Sequence, residues 1–230
     1  MNNKRLMIKL SGEALSGSKG FGIDNDVVED ICKKIIKLHN YYQIVIVVGG
    51  GNYWRGRTNR RMDRVRADNI GMLATNMNSL ILQDKFIELG EKVVVQSAIE
   101  MNKIIKFVNI DDAIESINNG SIVIFGGGTG NPLFSTDTAA AIRAIETKCD
   151  IMVKLTNVDG VYTDDPRINS NARKYSTISY DEIIINDLKV LDMECCSLCK
   201  NNRMPIIVCD ISDDSINKLC NREVCGTIIR

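Results

Sequence analysis

Two short segments pair a lysine with a hydroxyl just beyond an apolar run. They are Lys9-Leu10-Ser11-Gly12-Glu13 and Lys154-Leu155-Thr156-Asn157. Lysines at the ends of parallel strands converge on one sheet edge, where they can offset charge on a phosphoryl group in transfer. Either lysine alone reads as a solvated surface residue; the repeated arrangement carries the catalytic reading. Two further apolar runs, Ile44 to Val48 and Ile122 to Phe125, lead directly into Gly49-Gly50-Gly51 and Gly126-Gly127-Gly128. Glycine lets backbone N–H groups approach an anion without interference from Cβ, and a helix that follows adds its positive end. The same glycines would also serve as plain tight turns, but two similar loops favour phosphate. The familiar cradles are absent: there is no G-x-x-x-x-G-K-[ST], and Asn131 stands where a dinucleotide fingerprint needs its third glycine. Arg55, Arg57, Arg60, Arg61, Arg64 and Arg66 crowd the stretch after the first glycine loop. Most read as a solvated loop. Arg55 lies close enough to the glycines to reach a phosphate with both arms of its guanidinium.

Composition sets limits on this chemistry. The 230 residues carry 29 Lys+Arg against 29 Asp+Glu, and this balance excludes a general nucleic-acid binder. A single histidine excludes a multi-histidine metal site and a pair of histidine acid–base catalysts. The N-terminal apolar run is broken by Lys9, and no stretch reaches the length of a membrane helix, so a cytoplasmic protein with no membrane partner is expected. Eight cysteines without a secretory signal read as reduced thiols. Cys196-Ser197-Leu198-Cys199 is only one C-x-x-C hook where zinc normally needs two, so no metal site is expected and a core role is favoured. His39 ends an amphipathic helix and reads as structural.

The elements needed to position these groups alternate in type. Strands are expected at Arg5–Leu10, 44–48, 92–96, 122–125, 151–155, 206–208 and 227–229. Helices are expected from Asp24 through Leu38, from near Asp68 toward Leu89, over 113–117, and over 139–145 behind a Ser135 or Thr136 cap. Another is expected behind the capping box Ser179-x-x-Glu182. This alternation predicts an α/β fold, a three-layer αβα sandwich with a central, mainly parallel sheet, in one domain spanning residues 1–230. The weakly patterned stretch from Asn157 to Tyr175 reads as a long functional loop.

Taken in order, the segments resemble the bacterial-type uridylate kinases of the amino-acid kinase superfamily. The resemblance rests on Lys9-Leu10-Ser11-Gly12-Glu13-Ala14-Leu15, Gly20-Phe21-Gly22-Ile23 and Gly49-Gly50-Gly51-Asn52-x-x-Arg55-Gly56. It continues through Met62-Asp63-Arg64, Ala67-Asp68, Gly71-Met72-Leu73-Ala74-Thr75 and Gly128-Thr129-Gly130-Asn131-Pro132. Phe134-Ser135-Thr136-Asp137-Thr138, Lys154-x-Thr156-Asn157-Val158-Asp159-Gly160-Val161-Tyr162 and Leu188-Lys189-Val190-x-Asp192 complete it. Three places depart from the family pattern: Arg61 replaces a glycine, Asn69-Ile70 replaces a more aromatic pair, and Asp192 lacks the usual Thr-Ala after it.

The resemblance implies the carbamate kinase-like fold and transfer of the γ-phosphoryl group of ATP to UMP, with Mg²⁺ accompanying ATP. It implies catalytic roles for Lys9, Arg55, Asp137 and Lys154. Lys9, Ser11, Gly12, Gly51 and Arg55 would face the ATP phosphates, while Thr156, Asn157, Tyr162 and Asp165 would hold its nucleoside. UMP would be held by Gly50 and Asp68, with Thr129, Gly130, Asn131, Pro132, Leu133, Phe134, Ser135 and Thr136. Gly17, Ser18, Lys19, Gly20, Phe21 and Gly22 correspond to a segment associated with GTP activation. UTP inhibition and a homohexamer are also implied. The rivals are another kinase of the superfamily acting on carbamate or an amino acid, a non-catalytic nucleotide sensor, and a zinc or redox protein built on the C-x-x-C.

Overall fold

The computed structural model describes residues 4–54, 62–164, 166, 168–169 and 171–230. Five segments alternate strand and helix at the start: β1 (Arg5–Leu10), α1 (Asn25–His39), β2 (Gln43–Val48), α2 (Arg64–Glu88) and β3 (Val93–Ser97). The middle comprises β4 (Lys106–Phe107), α3 (Ile110–Asn118), β5 (Ile122–Gly126), α4 (Thr136–Glu146) and β6 (Ile151–Thr156). The last third holds β7 (Thr177–Ile178), α5 (Tyr180–Ile185), α6 (Met193–Asn201), β8 (Ile206–Asp210), α7 (Asp213–Cys220) and β9 (Thr227–Ile229). These described strands form one nine-stranded sheet in the order β4-β3-β5-β2-β1-β6-β8-β9-β7. Every pairing is parallel except β8 with β9.

The two-residue period of the strands divides the core in two. Ile8, Leu10, Ile46, Ile124 and Val153 face α1, α2 and α7 on one side. Met7, Val47, Phe125 and Met152 face α3, α4, α5 and α6 on the other. Strands apolar on both faces are what a sheet covered on both sides requires. This is the three-layer arrangement expected from the alternation.

Lys9 and Lys154 interrupt the pattern at matched positions. β1 pairs with β6 so that Lys9 lies opposite Lys154, and both point to the α4 face. β5 and β6 flank the β2–β1 pair, so the connection between them crosses both strands, and α4 packs over β1, β2 and β6. A crossover helix of this kind starts from the carboxyl ends of the strands, so its N-terminus lies at that edge of the sheet.

At the opposite end of the strands, the buried Arg5 guanidinium donates to the Thr147 carbonyl, to Gln43 Oε1 at 3.1 Å and to Asn118 Oδ1 at 3.0 Å. It ties β1 and β2 to the C-terminal ends of α3 and α4, away from the lysines.

Several elements differ from the sequence reading. α2 begins at Arg64, four residues before Asp68, because the Asp63 side chain caps it by accepting from Arg66 N–H. Asp24 occupies the cap position of α1 but makes no capping bond; it pairs with Lys19 at 3.2 Å, and that hydrogen bond lowers its pKa. β4, β7, α6 and α7 were not expected. Among the described residues no helix is long and apolar enough to cross a membrane.

Candidate active site

Asp137 lies in the first turn of α4 and is nearly buried. Its Oδ1 lies 3.0 Å from Lys9 Nζ, and its Oδ2 accepts a 2.5 Å bond from Lys154 Nζ. Lys154 Nζ also donates to the carbonyl of Val190 at 2.5 Å. Two of the three N–H donors of Lys154 are therefore committed to the protein, which aims the third. Burial pushes the Asp137 carboxyl up, but the charges of Lys9 and Lys154 outweigh it and hold the group at about 2. The carboxylate stays ionised at neutral pH, and the cluster keeps one net positive charge.

The first turn of α4 is fixed in its own right. Ser135 Oγ accepts from the backbone N–H of Asp137 at 3.0 Å and of Thr138 at 3.3 Å. It donates in turn to Asp192, which also accepts from Thr138 Oγ1 at 2.6 Å and caps α6 through Cys195 N–H at 2.7 Å. Asp192 thus joins α6 to the turn that carries Asp137. The absence of Thr-Ala after Asp192 leaves this wall intact, since Met193 and Glu194 simply begin the helix.

A cavity of about 530 Å³ opens on one side of the cluster. It is lined by Lys154, Thr156 and Tyr162, with the 186–190 strap opposite. Tyr162 O–H donates to Asp159 at 2.7 Å, a bond that raises the tyrosine pKa. Asn157 is exposed and does not line this cavity. Asp165 lies outside the described residues.

A second cavity has a volume of about 370 Å³. Gly50, Gly51, Asp68, Thr129, Asn131 and Phe134 contribute to its wall, with Ser135 and Thr136 at the edge nearest Asp137. Asp68 Oδ2 accepts from Arg64 at 2.8 Å and from the N–H of Leu133 at 2.9 Å, so it pins the 129–136 loop to α2. Gly130, Pro132 and Leu133 shape that loop without lining the cavity. Gly130 adopts φ 81°, and a Cβ there would meet the Ala98 carbonyl at 2.6 Å; the Leu133 side chain is 60% exposed.

The glycine loops close tightly around this region. A Cβ on Gly12 would sit 2.5 Å from the Gly49 carbonyl, and one on Gly50 would sit 2.8 Å from both Ala74 Cβ and the Gly71 carbonyl. Ser11 precedes Gly12 at the end of β1. Gly17 to Gly22 lies beyond, in the 3₁₀ stretch and the turn after it, where Phe21 is exposed with its ring edge-on to Tyr53 at 6.0 Å. Arg55, together with Arg57, Arg60 and Arg61, lies outside the described residues.

Sequence reasoning did not single out Trp54, Met72 and Thr75 in the smaller cavity or the 186–190 strap in the larger one. Met72, Thr75 and the 188–190 part of the strap were quoted only within the segments that carry the resemblance. The Val190 contribution is a backbone carbonyl, which leaves no side-chain signature. The eight cysteines are free and buried, and α6 turns Cys195, Cys196 and Cys199 into the core. His39 sits at the last position of α1 with Nδ1 3.0 Å from Glu91 Oε2, in the structural setting expected of it.

Glycine loops at strand ends, a lysine–carboxylate–lysine cluster, and cavities lined by Lys154 on one hand and by Ser135 and Thr136 on the other suit a phosphotransferase that lacks a P-loop. The chain belongs to the amino acid kinase family, whose model matches residues 4–210, and within that family it falls among the uridylate kinases. A uridylate kinase of Bacteroides thetaiotaomicron is 44% identical to it over 98% of this chain and 98% of its own length. The crystal structure of UMP kinase from Bacillus anthracis matches with a TM-score of 0.95 at 34% identity, covering 99% of this chain and 96% of that one. UMP kinase from Ureaplasma parvum matches with a TM-score of 0.93 at 36% identity, over 100% of this chain and 99% of that one.

Proposed function

We propose that the protein phosphorylates UMP from ATP, giving UDP and ADP, with the larger cavity holding the ATP nucleoside and the smaller one UMP. The observation that carries this reading is the cluster of Lys9, Asp137 and Lys154, with Lys154 on the wall of one cavity and Ser135 and Thr136 on the wall of the other. The nucleophile is a phosphate oxygen of UMP. A phosphate monoester loses its second proton near about pH 6, so it arrives largely ionised and needs no general base. What remains is alignment and charge neutralisation.

In this mechanism Lys9 and Lys154 flank the γ-phosphoryl group as charge spreads over its oxygens. Asp137 holds both ammonium groups in place and is neither base nor nucleophile. Backbone amides of Gly12, Gly50 and Gly51 add fixed dipoles that need no reorganisation during the reaction. Arg55 belongs to the same reading as a further phosphate ligand.

Mg²⁺ enters with ATP as part of the substrate. No group of three or more His, Cys, Asp or Glu among the described residues could hold it, and Asp137 is already paired with two lysines. Phosphate oxygens and water would therefore supply most of its ligands, as is common for this ion.

Residues 1–230 are read as one cytoplasmic domain. Assembly into a homohexamer is part of the proposal, supported by Ile70, Leu73 and Met77, which leave apolar side chains on the exposed side of α2. Activation by GTP through the Gly17–Gly22 segment and inhibition by UTP are also proposed, and titration of each into the assay checks them. The function itself is tested by coupled ADP release with UMP, CMP, acetylglutamate and aspartate offered separately. Turnover is expected with UMP. Turnover with an amino acid and none with UMP would overturn the reading.

A further inference from the structure

Two buried asparagines lie behind the glycine loop, and the mechanism above gives them no role. Asn52 follows Gly51 directly, and Asn78 lies on α2; they are 1% and 0% exposed. Their side-chain amides face each other. Asn78 Nδ2 donates to Asn52 Oδ1 at 2.7 Å, and Asn52 Nδ2 donates to Asn78 Oδ1 at 3.1 Å. Each Nδ2 also donates to a backbone carbonyl: Asn78 to Gly49 at 2.7 Å and Asn52 to Gly22 at 2.8 Å.

All four amide protons of the pair are thus used, and both amide oxygens accept. A primary amide supplies two donors and an acceptor from one short side chain, which a carboxylate or a hydroxyl cannot do. Three segments meet here: α2, the 49–52 loop and the turn at Gly22, whose N–H also donates to the Asn52 carbonyl at 2.9 Å. Gly49 N–H meanwhile donates to Leu10 O at 2.9 Å, which ties the same loop to the strand carrying Lys9.

We propose that the Asn52–Asn78 amide pair is a positioning device for the phosphoryl transfer. It fixes the carbonyl of Gly49 and hence the direction of the amides at Gly50 and Gly51, which stand between the two phosphate groups. Asn78 carries the larger share, because it alone of the pair bonds the loop carbonyl. This inference rests on the UMP kinase reading, since it assigns the loop to the phosphates of that reaction. It goes beyond that reading in naming what holds the loop.

The test uses the full chain with Asn78→Asp and Asn78→Leu. The first variant sets a second acceptor against the Gly49 carbonyl; the second keeps the volume and removes every hydrogen bond. Activity is measured as coupled ADP release with UMP, and UMP-binding sites are counted by calorimetry in the same sample. UMP turnover by the unmodified protein checks the reading independently of the pair. Displacing aligned groups by about 1 Å costs on the order of 10²-fold in rate. The expected result is therefore a kcat at least about tenfold lower per binding site, with both KM values within about threefold of the parent. A kcat within about threefold in a folded variant would overturn the proposal. So would a loss of activity matched by a loss of binding sites, a rise in KM at constant kcat, or failure of both variants to fold, since the pair would then serve binding or the fold rather than alignment.

Discussion

Replacing Asp137 by Asn keeps the size of the side chain and removes its charge. In the native site one carboxylate lies 3.0 Å from Lys9 Nζ and 2.5 Å from Lys154 Nζ. The two lysines are register partners on adjacent strands, and neighbouring strands are about 5 Å apart. Two ammonium charges at about 5 Å repel by about 3 kcal/mol at an effective dielectric of about 20. The carboxylate offsets that repulsion and fixes both side chains; an amide does neither. If the lost restraint appears in full at the transition state, about 3 kcal/mol corresponds to about 10²-fold in kcat. UMP affinity should change little, because Ser135 and Thr136 reach the smaller cavity through the cap of α4, which the substitution leaves in place. The assay is coupled ADP release at saturating ATP and UMP, paired with calorimetric UMP binding. A variant with kcat within about threefold of the parent would refute the argument that the carboxylate organises the two lysines.

Further outcomes follow from the same geometry. Lys9→Ala and Lys154→Ala should each lower kcat by about 10²-fold or more while UMP binding is largely kept; unchanged kcat in both would remove the lysines from the mechanism. The Asp137 pKa is depressed from 3.8 to about 2, so its contribution is fully present above pH 3.8 and is lost as pH falls toward 2. The gap in unfolding free energy between the parent and Asp137→Asn should narrow by about 2 kcal/mol over that window, as read from denaturant titrations at several pH values. Gly50→Ala would place a methyl group 2.8 Å from Ala74 Cβ and the Gly71 carbonyl. It should cost about 1–3 kcal/mol, seen as a lower Tm, and raise KM for UMP. Arg5→Ala strands the Thr147 carbonyl at the far end of the sheet. It should cost about 3 kcal/mol in stability, while kcat per folded molecule stays at the parent value.

The layered fold was legible because strands apolar on both faces are hard to mistake, as in Ile44 to Val48. What escaped were short elements with few apolar residues, such as α7 with Ile216 and Leu219, and elements whose apolar residues did not look apolar. α6 buries Cys195, Cys196 and Cys199, which read first as thiols and only second as core side chains. β4 and β7 are two residues long and too short to show a period. α2 began early because Asp63 caps a first turn of Arg64-Val65-Arg66 that carries no apolar stripe.

At the site, the two lysines could be found from their repeated position at strand ends. Their convergence on Asp137 depended on the register between β1 and β6 and on a crossover helix that starts at the same edge, neither of which is written locally. The role proposed for Asp137 came from the resemblance alone. The Val190 carbonyl and the link from Asp192 to the α4 cap are contacts across long sequence separations. They appear only once α4, α6 and the 186–190 strap are packed together.

The central claim is direct transfer to an acceptor that brings its own ionised oxygen, with no protein nucleophile between donor and acceptor. The stereochemistry at phosphorus tests it most directly. ATP made chiral at the γ-phosphorus with sulfur and oxygen isotopes would be turned over with UMP and the product configuration determined. A single in-line displacement predicts inversion. Retention would require two displacements through a phosphorylated side chain and would contradict the account.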